Sequence, residues 1–280
     1  MSHQKINKFI QPVVKYGLVI FFCLLALFPL YWMLVTSISP EAAMFSATPN
    51  IFPKVFDIIG YKNLIETGMI VNWLKNTLIV ASASTIVCVL VSTMAGYTLS
   101  RFKYRGSNAF GLLLLITQML PEALIIVPVY GIFQALGLLN TYFSLVLINS
   151  AINIPIGTWI LKNYIDTIPK ELDEAALVDG CTKTQVLFRI VLPNALPSVV
   201  AVGVIVFFES WGEYMFASTF ITKQANWVTS VGLASFIGMY TVPMPQIMAG
   251  AIIFCIPALV FYLIFQRHII SGMTSGAVKG

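Results

Sequence analysis

Long uninterrupted apolar stretches, separated by shorter polar connections, organise the chain. A helix needs roughly 20 apolar residues to cross about 30 Å of hydrocarbon. Stretches that meet or approach this length predict spans at about residues 16–38, 76–100, 108–130, 142–162, 194–218 and 246–266. Apolar and polar residues do not alternate along them, as they would in the strands of a membrane β-barrel. The pattern therefore predicts an all-α membrane protein with six transmembrane helices.

The spans also suggest how the chain is divided. Residues 1–71 are expected to hold the first span and an outer loop, and residues 72–267 are expected to form the transmembrane domain. The longest polar connection within that domain is 163–193, and residues 268–280 form a C-terminal tail.

Composition excludes a soluble globular protein. Of the 280 residues, 58% are hydrophobic and only 10% are charged, whereas soluble domains carry about 25% charged residues. The net charge of +5 does not indicate nucleic-acid binding, because basic residues collect in the cytoplasmic loops of membrane proteins. Two histidines near opposite ends and four cysteines without ligand spacing predict neither catalytic residues nor a metal site.

The lysines and arginines lie unevenly on the two sides of the predicted spans. Twelve fall on the side that holds both termini, and four fall on the other side. An excess of basic residues over short loops marks the cytoplasmic face. Both termini are therefore expected to be cytoplasmic, which agrees with an even number of spans.

The cytoplasmic connection 163–193 carries regular helical signals that a simple connector does not need. Thr167 is the predicted N-cap of a first short helix whose first turn is acidic. Gly180 supplies a sharp stop, and a second helix is expected from Lys183 until Pro193 ends it. An acidic helix is repelled by the negative cytoplasmic leaflet, so we interpret the connection as a docking element for a soluble partner.

The same connection resembles the EAA loop of ABC-importer permeases. The residues expected to act in this loop are Glu174, Ala175, Ala176, Asp179, Gly180, Ile190, Leu192 and Pro193. Further stretches are similar to the maltose-permease-like branch, the second permease subunit of carbohydrate importers. These stretches are Phe28–Met33, Gly96–Phe102, Gly137–Tyr142, Trp211–Tyr214 and Ser275–Gly280. Gly212 departs from the family, which more often has Asn there.

The resemblance implies the type I ABC-importer transmembrane fold and a mechanism of alternating access. In such importers the EAA loop forms a coupling helix that docks on an ATP-binding subunit. The implied partners are a second permease subunit, a dimer of ATP-binding subunits, an extracytoplasmic solute-binding protein and a sugar or oligosaccharide. The implied location is the cytoplasmic (inner) membrane of a prokaryote.

ATP and Mg are expected on the partner ATPase, and no cofactor is expected on this chain. The sequence contains no Gly-x-x-x-x-Gly-Lys-[Ser/Thr] phosphate loop, so the energy must come from another chain. The chain is therefore expected to be a transport subunit rather than an enzyme.

Polar side chains inside the predicted spans are candidates for a translocation path. Each buried charge costs about 2.5–3.5 kcal/mol on insertion scales, so such residues usually face a cavity or a partner. Glu209 and Glu213 are expected on one helix face, and a structural role for them is equally open. Glu122 follows Pro121 and is better explained by bonding to the backbone that the proline frees. The candidates are Glu122, Asn149, Asn153, Glu209, Trp211 and Glu213.

Other classes of protein remain as alternatives. An ion- or proton-coupled secondary transporter would use the carboxylates as coupling sites, and such proteins often show two similar halves, which this sequence lacks. A membrane enzyme would need a nucleophile with its base or a set of metal ligands. An importer of a non-sugar solute such as a polyamine would share the EAA loop. The sequence also leaves open which sugar is moved and which permease subunit holds it.

Overall fold

A computed structural model describes residues 3–44, 51–238 and 242–274, and every regular element in these ranges is helical. The helices are α1 (His3–Ser37), α2 (Glu41–Met44), α3 (Ile59–Glu66), α4 (Met69–Arg101), α5 (Ser107–Thr117), α6 (Glu122–Ala135), α7 (Tyr142–Ile165), α8 (Glu171–Val178), α9 (Lys183–Val186), α10 (Leu192–Gly212), α11 (Met215–Phe220), α12 (Thr229–Ala234) and α13 (Met244–Thr274). The all-α prediction is confirmed. The similar stretch Ser275–Gly280 lies outside the described residues.

The chain divides into two compact units. One unit comprises Met1–Ile70 and Ser235–Cys255, and the other comprises Val71–Ala234 and Ile256–Gly280. Within the first unit, the hydroxyl of Ser37 at the end of α1 lies 2.8 Å from the hydroxyl of Tyr61 in α3. The second unit contains both candidate sites.

Five helical stretches of the described chain are long and apolar enough to cross a membrane. They are Val14–Ser37, Met69–Arg101, Tyr142–Ile165, Lys183–Gly212 and Met244–Gln266. The remaining predicted span, 108–130, is not one helix, because Ala109–Thr117 and Glu122–Ala135 meet at a 96° bend. If this bent pair counts as one span, the described residues contain six.

Proline chemistry explains the break between α5 and α6. Pro121 has no N–H to donate, and its ring disfavours a helical conformation at the preceding Leu120. The side-chain amide of Gln118 donates a hydrogen bond of 3.0 Å to the carbonyl of Ile152 in α7. The break is therefore tied to a neighbouring span rather than left free.

The fifth span begins earlier than expected and also ends earlier. Pro193 does not end a short helix, because α9 continues through the π-helical turn Leu187–Val191 into α10. A proline clashes with the carbonyl four residues before it, and a wider π turn just upstream relieves such crowding. The amide of Asn194 donates to the carbonyl of Ile190 at 2.7 Å. The span predicted over 194–218 ends at Gly212, since the backbone at Glu213 is extended.

Glycines allow α4, α7 and α10 to pack closely in the second unit. A Cβ atom on Gly157 of α7 would lie 2.8 Å from the Ser92 hydroxyl of α4 and 3.1 Å from a Val202 methyl of α10. A Cβ atom on Gly96 of α4 would lie 3.0 Å from the backbone nitrogen of Lys162. Small residues let membrane helices approach at their backbones, so these three spans pack closely against one another in the centre of the unit.

Asn140 joins the α6–α7 turn to the segment that follows α11. It adopts a left-handed conformation with φ of 62°, which is uncommon for a residue other than glycine. Its side-chain oxygen accepts hydrogen bonds from the backbone N–H groups of Thr222 at 2.7 Å and Lys223 at 2.9 Å. Asn226 donates to the Asn140 carbonyl at 2.7 Å. These hydrogen bonds fix the α6–α7 turn against the segment that follows α11.

Candidate functional site

The connection 163–193 folds into α8 followed directly by α9. The end of α8 is a Schellman motif. The N–H of Cys181 donates to the Ala176 carbonyl at 2.9 Å, and the N–H of Gly180 donates to the Leu177 carbonyl at 3.1 Å. Gly180 has φ of 86°, a conformation that favours glycine. The sharp stop predicted at Gly180 is confirmed.

The start of α9 is closed by a capping box, whereas the predicted cap of α8 is wrong. The Thr182 hydroxyl accepts from the Gln185 N–H at 3.3 Å, and the Gln185 side chain accepts from the Thr182 N–H at 2.7 Å. Thr167 instead donates to the Tyr164 carbonyl at 2.7 Å. It cannot cap α8, because that helix begins only at Glu171.

The inner face of α8 is tied to the end of α4 by a buried ion pair. The Arg101 Nε donates to Asp173 Oδ2 at 2.7 Å, and the two side chains are only 5% and 12% exposed. Arg101 also donates through Nη2 to the Ile168 carbonyl at 3.0 Å. The neighbouring Ser100 donates to Asp166 at 2.6 Å. Two consecutive residues of α4 therefore hold the chain segment that leads into α8.

Sequence reasoning missed this anchor. Asp173 directly precedes the matched Glu174, and Arg101 lies within the similar stretch Gly96–Phe102. The available signal was an arginine at the end of an apolar span, with Lys103 and Arg105 just after it, together with an acidic connection later in the chain. Sequence alone does not show which of the loop's acidic residues it contacts.

The predicted loop residues divide between the core and the surface. Ala176 is buried in a cluster with Ile165, Val186 and Val191, which continues into the packed centre of α4, α7 and α10. Ile190 and Leu192 are partly buried. The exposed residues are Glu174, Ala175, Asp179, Gly180 and Pro193. The connection therefore packs against the spans on one side and is exposed on the other.

The free face of α8 follows helical spacing. Glu171, Glu174, Ala175 and Val178 are all exposed, and these positions lie on one side of a helix. Val178 is 87% exposed, although it is a large apolar residue. The face is therefore both acidic and apolar, and the alanine gives it a flat centre.

The second candidate site, which we call the acidic cavity, lies where two helices break. Its volume is about 380 Å³. It is lined by Glu122, Asn149, Ile152, Asn153, Phe208, Glu209, Gly212, Glu213, Tyr214, Met215 and Phe216. All three candidate carboxylates and both candidate asparagines thus come together. No basic side chain lines the cavity in the described part of the chain.

Trp211 does not belong to the acidic cavity. Its side chain is only 4% exposed, and its ring stacks on Phe207 with centroids 5.4 Å apart. Phe207 in turn stacks on Phe261 of α13. Trp211 is therefore a packing residue in this structure, and the expectation that it lines a path is not supported.

Glu213 has a structural task within the cavity. It does not share a helix face with Glu209, because it lies in the extended break after α10. Its two carboxylate oxygens accept hydrogen bonds from the backbone N–H groups of Phe216 at 2.6 Å and Ala217 at 3.0 Å. The Ser230 hydroxyl donates to the Glu213 carbonyl at 2.6 Å. Glu213 thus stabilises the start of α11.

Replacing Glu213 with Gln should destabilise the break, because the amide nitrogen cannot accept one of the two N–H bonds. Hydrogen bonds to a charged group contribute about 1.5–3 kcal/mol each, so we expect a lower melting temperature in detergent. Glu209→Gln is the matched control, since the side chain of Glu209 also lines the cavity but makes no hydrogen bond within the described residues. Equal melting temperatures for the two variants would contradict a capping role for Glu213.

The apolar spans and the folded helix pair between two of them are those of a multi-pass membrane protein. The family described as "Binding-protein-dependent transport system inner membrane component" matches residues 88–275. The chain therefore belongs to this family of inner-membrane permeases.

Two relatives match nearly the whole chain. The trehalose/maltose transport system permease protein MalG of Thermococcus litoralis is 32% identical, over 93% of this chain and 94% of that protein. The inner membrane ABC transporter permease protein YcjP of Escherichia coli is 31% identical, over 92% and 93%.

A solved structure shows the same fold. A chain of a bacterial ABC transporter involved in the import of the acidic polysaccharide alginate superposes with a TM-score of 0.81 at 21% identity. The match covers 95% of this chain and 98% of that chain. The predicted importer transmembrane fold is confirmed.

Proposed function

We propose that this chain moves a sugar or oligosaccharide across the cytoplasmic membrane as one permease of an ATP-driven, binding-protein-dependent importer. Family membership supports the importer, and the similarity to the trehalose/maltose permease of Thermococcus litoralis supports the substrate class. The partners are a second permease, a dimer of ATP-binding subunits that carry ATP and Mg, and an extracytoplasmic solute-binding protein.

The connection 163–193 is proposed to couple transport to ATP hydrolysis, because one face of α8 is exposed and the opposite face is attached to the spans. Arg101 and Ser100 tie this segment to α4, and Ala176 packs into the core of the spans. A partner bound to Glu174, Ala175 and their neighbours would therefore move α4, α7 and α10 with it. The distribution of basic residues along the chain supports placing this connection on the cytoplasmic side, where the ATP-binding subunits would lie.

The acidic cavity is the proposed stretch of the translocation path on this subunit. It is polar, it lies beside two helix breaks, and non-helical backbone at membrane depth is tolerated where it lines a water-filled cavity or is buried in protein. Carboxylate and amide groups of Glu209, Asn149 and Asn153 can bond to the hydroxyls of a passing sugar.

Uptake by sealed membrane vesicles tests this function. Vesicles that contain the two permeases and the ATPase are loaded with ATP and mixed with the solute-binding protein and labelled maltose, trehalose or spermidine. We expect uptake of a sugar that requires ATP and the binding protein and survives a proton ionophore. Uptake that the ionophore abolishes without any ATP requirement would indicate a secondary transporter. Uptake of spermidine alone would indicate a polyamine importer.

A further inference from the structure

The acidic cavity has a one-sided charge composition. Its lining places the carboxylates of Glu122, Glu209 and Glu213 around about 380 Å³ without a basic side chain among the described residues. Glu213 uses its oxygens to hold α11. Glu122 and Glu209 are exposed, and their side chains form no hydrogen bond within the described chain. Their charges are therefore available to whatever enters the cavity.

An independent feature indicates that the cavity receives a hydrogen-bonding solute. Asn149 of α7 lines the cavity and is only 3% exposed, yet its Nδ2 has no partner among the described residues. The Nδ2 of Asn153, by contrast, donates to the Asn149 carbonyl at 2.9 Å. A buried amide donor without an acceptor is costly, so the Asn149 amide requires an acceptor such as a hydroxyl or a water molecule.

We propose that the acidic cavity is a charge filter that admits neutral hydroxylated solutes and rejects anionic ones such as uronic acids or sugar phosphates. Sugar hydroxyls can accept from Asn149 and donate to Glu122 or Glu209, whereas the carboxylate or phosphate group of an acidic sugar has no proton to donate and is repelled by these two side chains. The inference rests on the proposed transport function and names the charge class of its substrate.

The physical basis is field focusing. A cleft lined by one sign of charge changes the local concentration of ions by about tenfold or more relative to bulk water. An anion is depleted by the same field. Neutral sugars do not feel this term, so the cavity discriminates by charge without tight binding that would slow transport.

Gly212 offers a place to measure this field directly. It lines the cavity, and a Cβ atom added there would meet nothing within 4 Å. Gly212→Cys is made in a chain whose native Cys23, Cys88, Cys181 and Cys255 are replaced by Ser. The complete importer in membrane vesicles is then treated with a cationic trimethylammonioethyl or an anionic sulfonatoethyl methanethiosulfonate. Rates are normalised to those of a free thiol.

We expect the cation to react at least about tenfold faster than the anion, and high salt should reduce this ratio. The double change Glu122→Gln and Glu209→Gln should bring the ratio close to one, while Glu66→Gln, an exposed carboxylate outside the cavity, should leave it unchanged. A ratio near one in the parent, a ratio insensitive to the double change, or a thiol that reacts with neither reagent would overturn the proposal.

Sugar uptake after labelling tests whether the acidic cavity lies on the translocation path. Either attached group should block uptake of the transported sugar, and full uptake after complete labelling would also overturn the proposal. The labelling rates require neither ATP nor substrate, so they remain informative if the vesicle assay rejects the proposed transport function. The charge-filter proposal and the proposed transport function can therefore be rejected independently.

Discussion

Replacing Asp173 with Ala should abolish coupled uptake and leave the protein inserted in the membrane. The guanidinium of Arg101 would remain buried without its carboxylate, and breaking a buried ion pair in this way costs about 3–5 kcal/mol. Helix α8 would then lose its ion pair with α4, while the hydrogen bonds from Arg101 to the Ile168 carbonyl and from Ser100 to Asp166 could still hold the segment before it. ATP-driven uptake in vesicles and the melting temperature of the detergent-solubilised complex measure the two effects.

Two controls separate the anchor from a general effect of charge removal. Glu66→Ala breaks the exposed pair with Lys62, whose atoms lie 3.8 Å apart, and such a pair contributes about 0–1 kcal/mol. The double change Arg101→Met with Asp173→Leu replaces both charges by apolar groups, which is often neutral for a buried pair. It should recover most of the stability. A melting temperature unchanged in Asp173→Ala would rule out the anchor.

Replacing Gly180 with Val should disorder the end of α8 and also abolish coupled uptake. A Cβ atom at this position would meet nothing within 4 Å, so the penalty comes from the backbone alone. The residue has φ of 86°, and the left-handed region costs an L-residue about 1–2 kcal/mol, with a β-branched side chain among the worst accommodated. Faster labelling of the partly buried Cys181 by a thiol reagent reports the loss of local structure.

Matched variants test whether the position or the strain matters. Gly180→Asn should retain most uptake, because asparagine tolerates the left-handed conformation. Gly68→Val introduces comparable strain in the turn between α3 and α4, where φ is 67°, and should not impair coupling. If Gly180→Val imports sugar at the parental rate, the proposal that this connection transmits ATP-driven motion is wrong.

Local signals with short reach were read correctly from the sequence. The sharp stop at Gly180, for example, depends only on neighbours a few residues away. The start of α8 was misread at Thr167, because threonine can cap a following helix or bond back to the preceding one. Only the bond to Tyr164 shows which it does.

The helix breaks were harder to predict. Pro121 interrupts the span predicted over 108–130, yet Pro193 and Pro197 are accommodated within one continuous span. The π turn before Pro193 supplies the extra space. Whether a membrane helix bends or absorbs a proline depends on which neighbours satisfy the freed backbone, and those neighbours are distant in sequence.

The sequence by itself determined the solvent, the helical class and the family resemblance, because hydrophobic length and composition are properties of the chain that need no neighbours. Tertiary structure alone decided which charges meet. It paired Arg101 with Asp173 across 72 residues, gathered three carboxylates into one cavity, and moved Trp211 out of it. The strength of an interaction between two charges depends on the distance between them and on their burial. Both quantities are set only when the helices pack against one another.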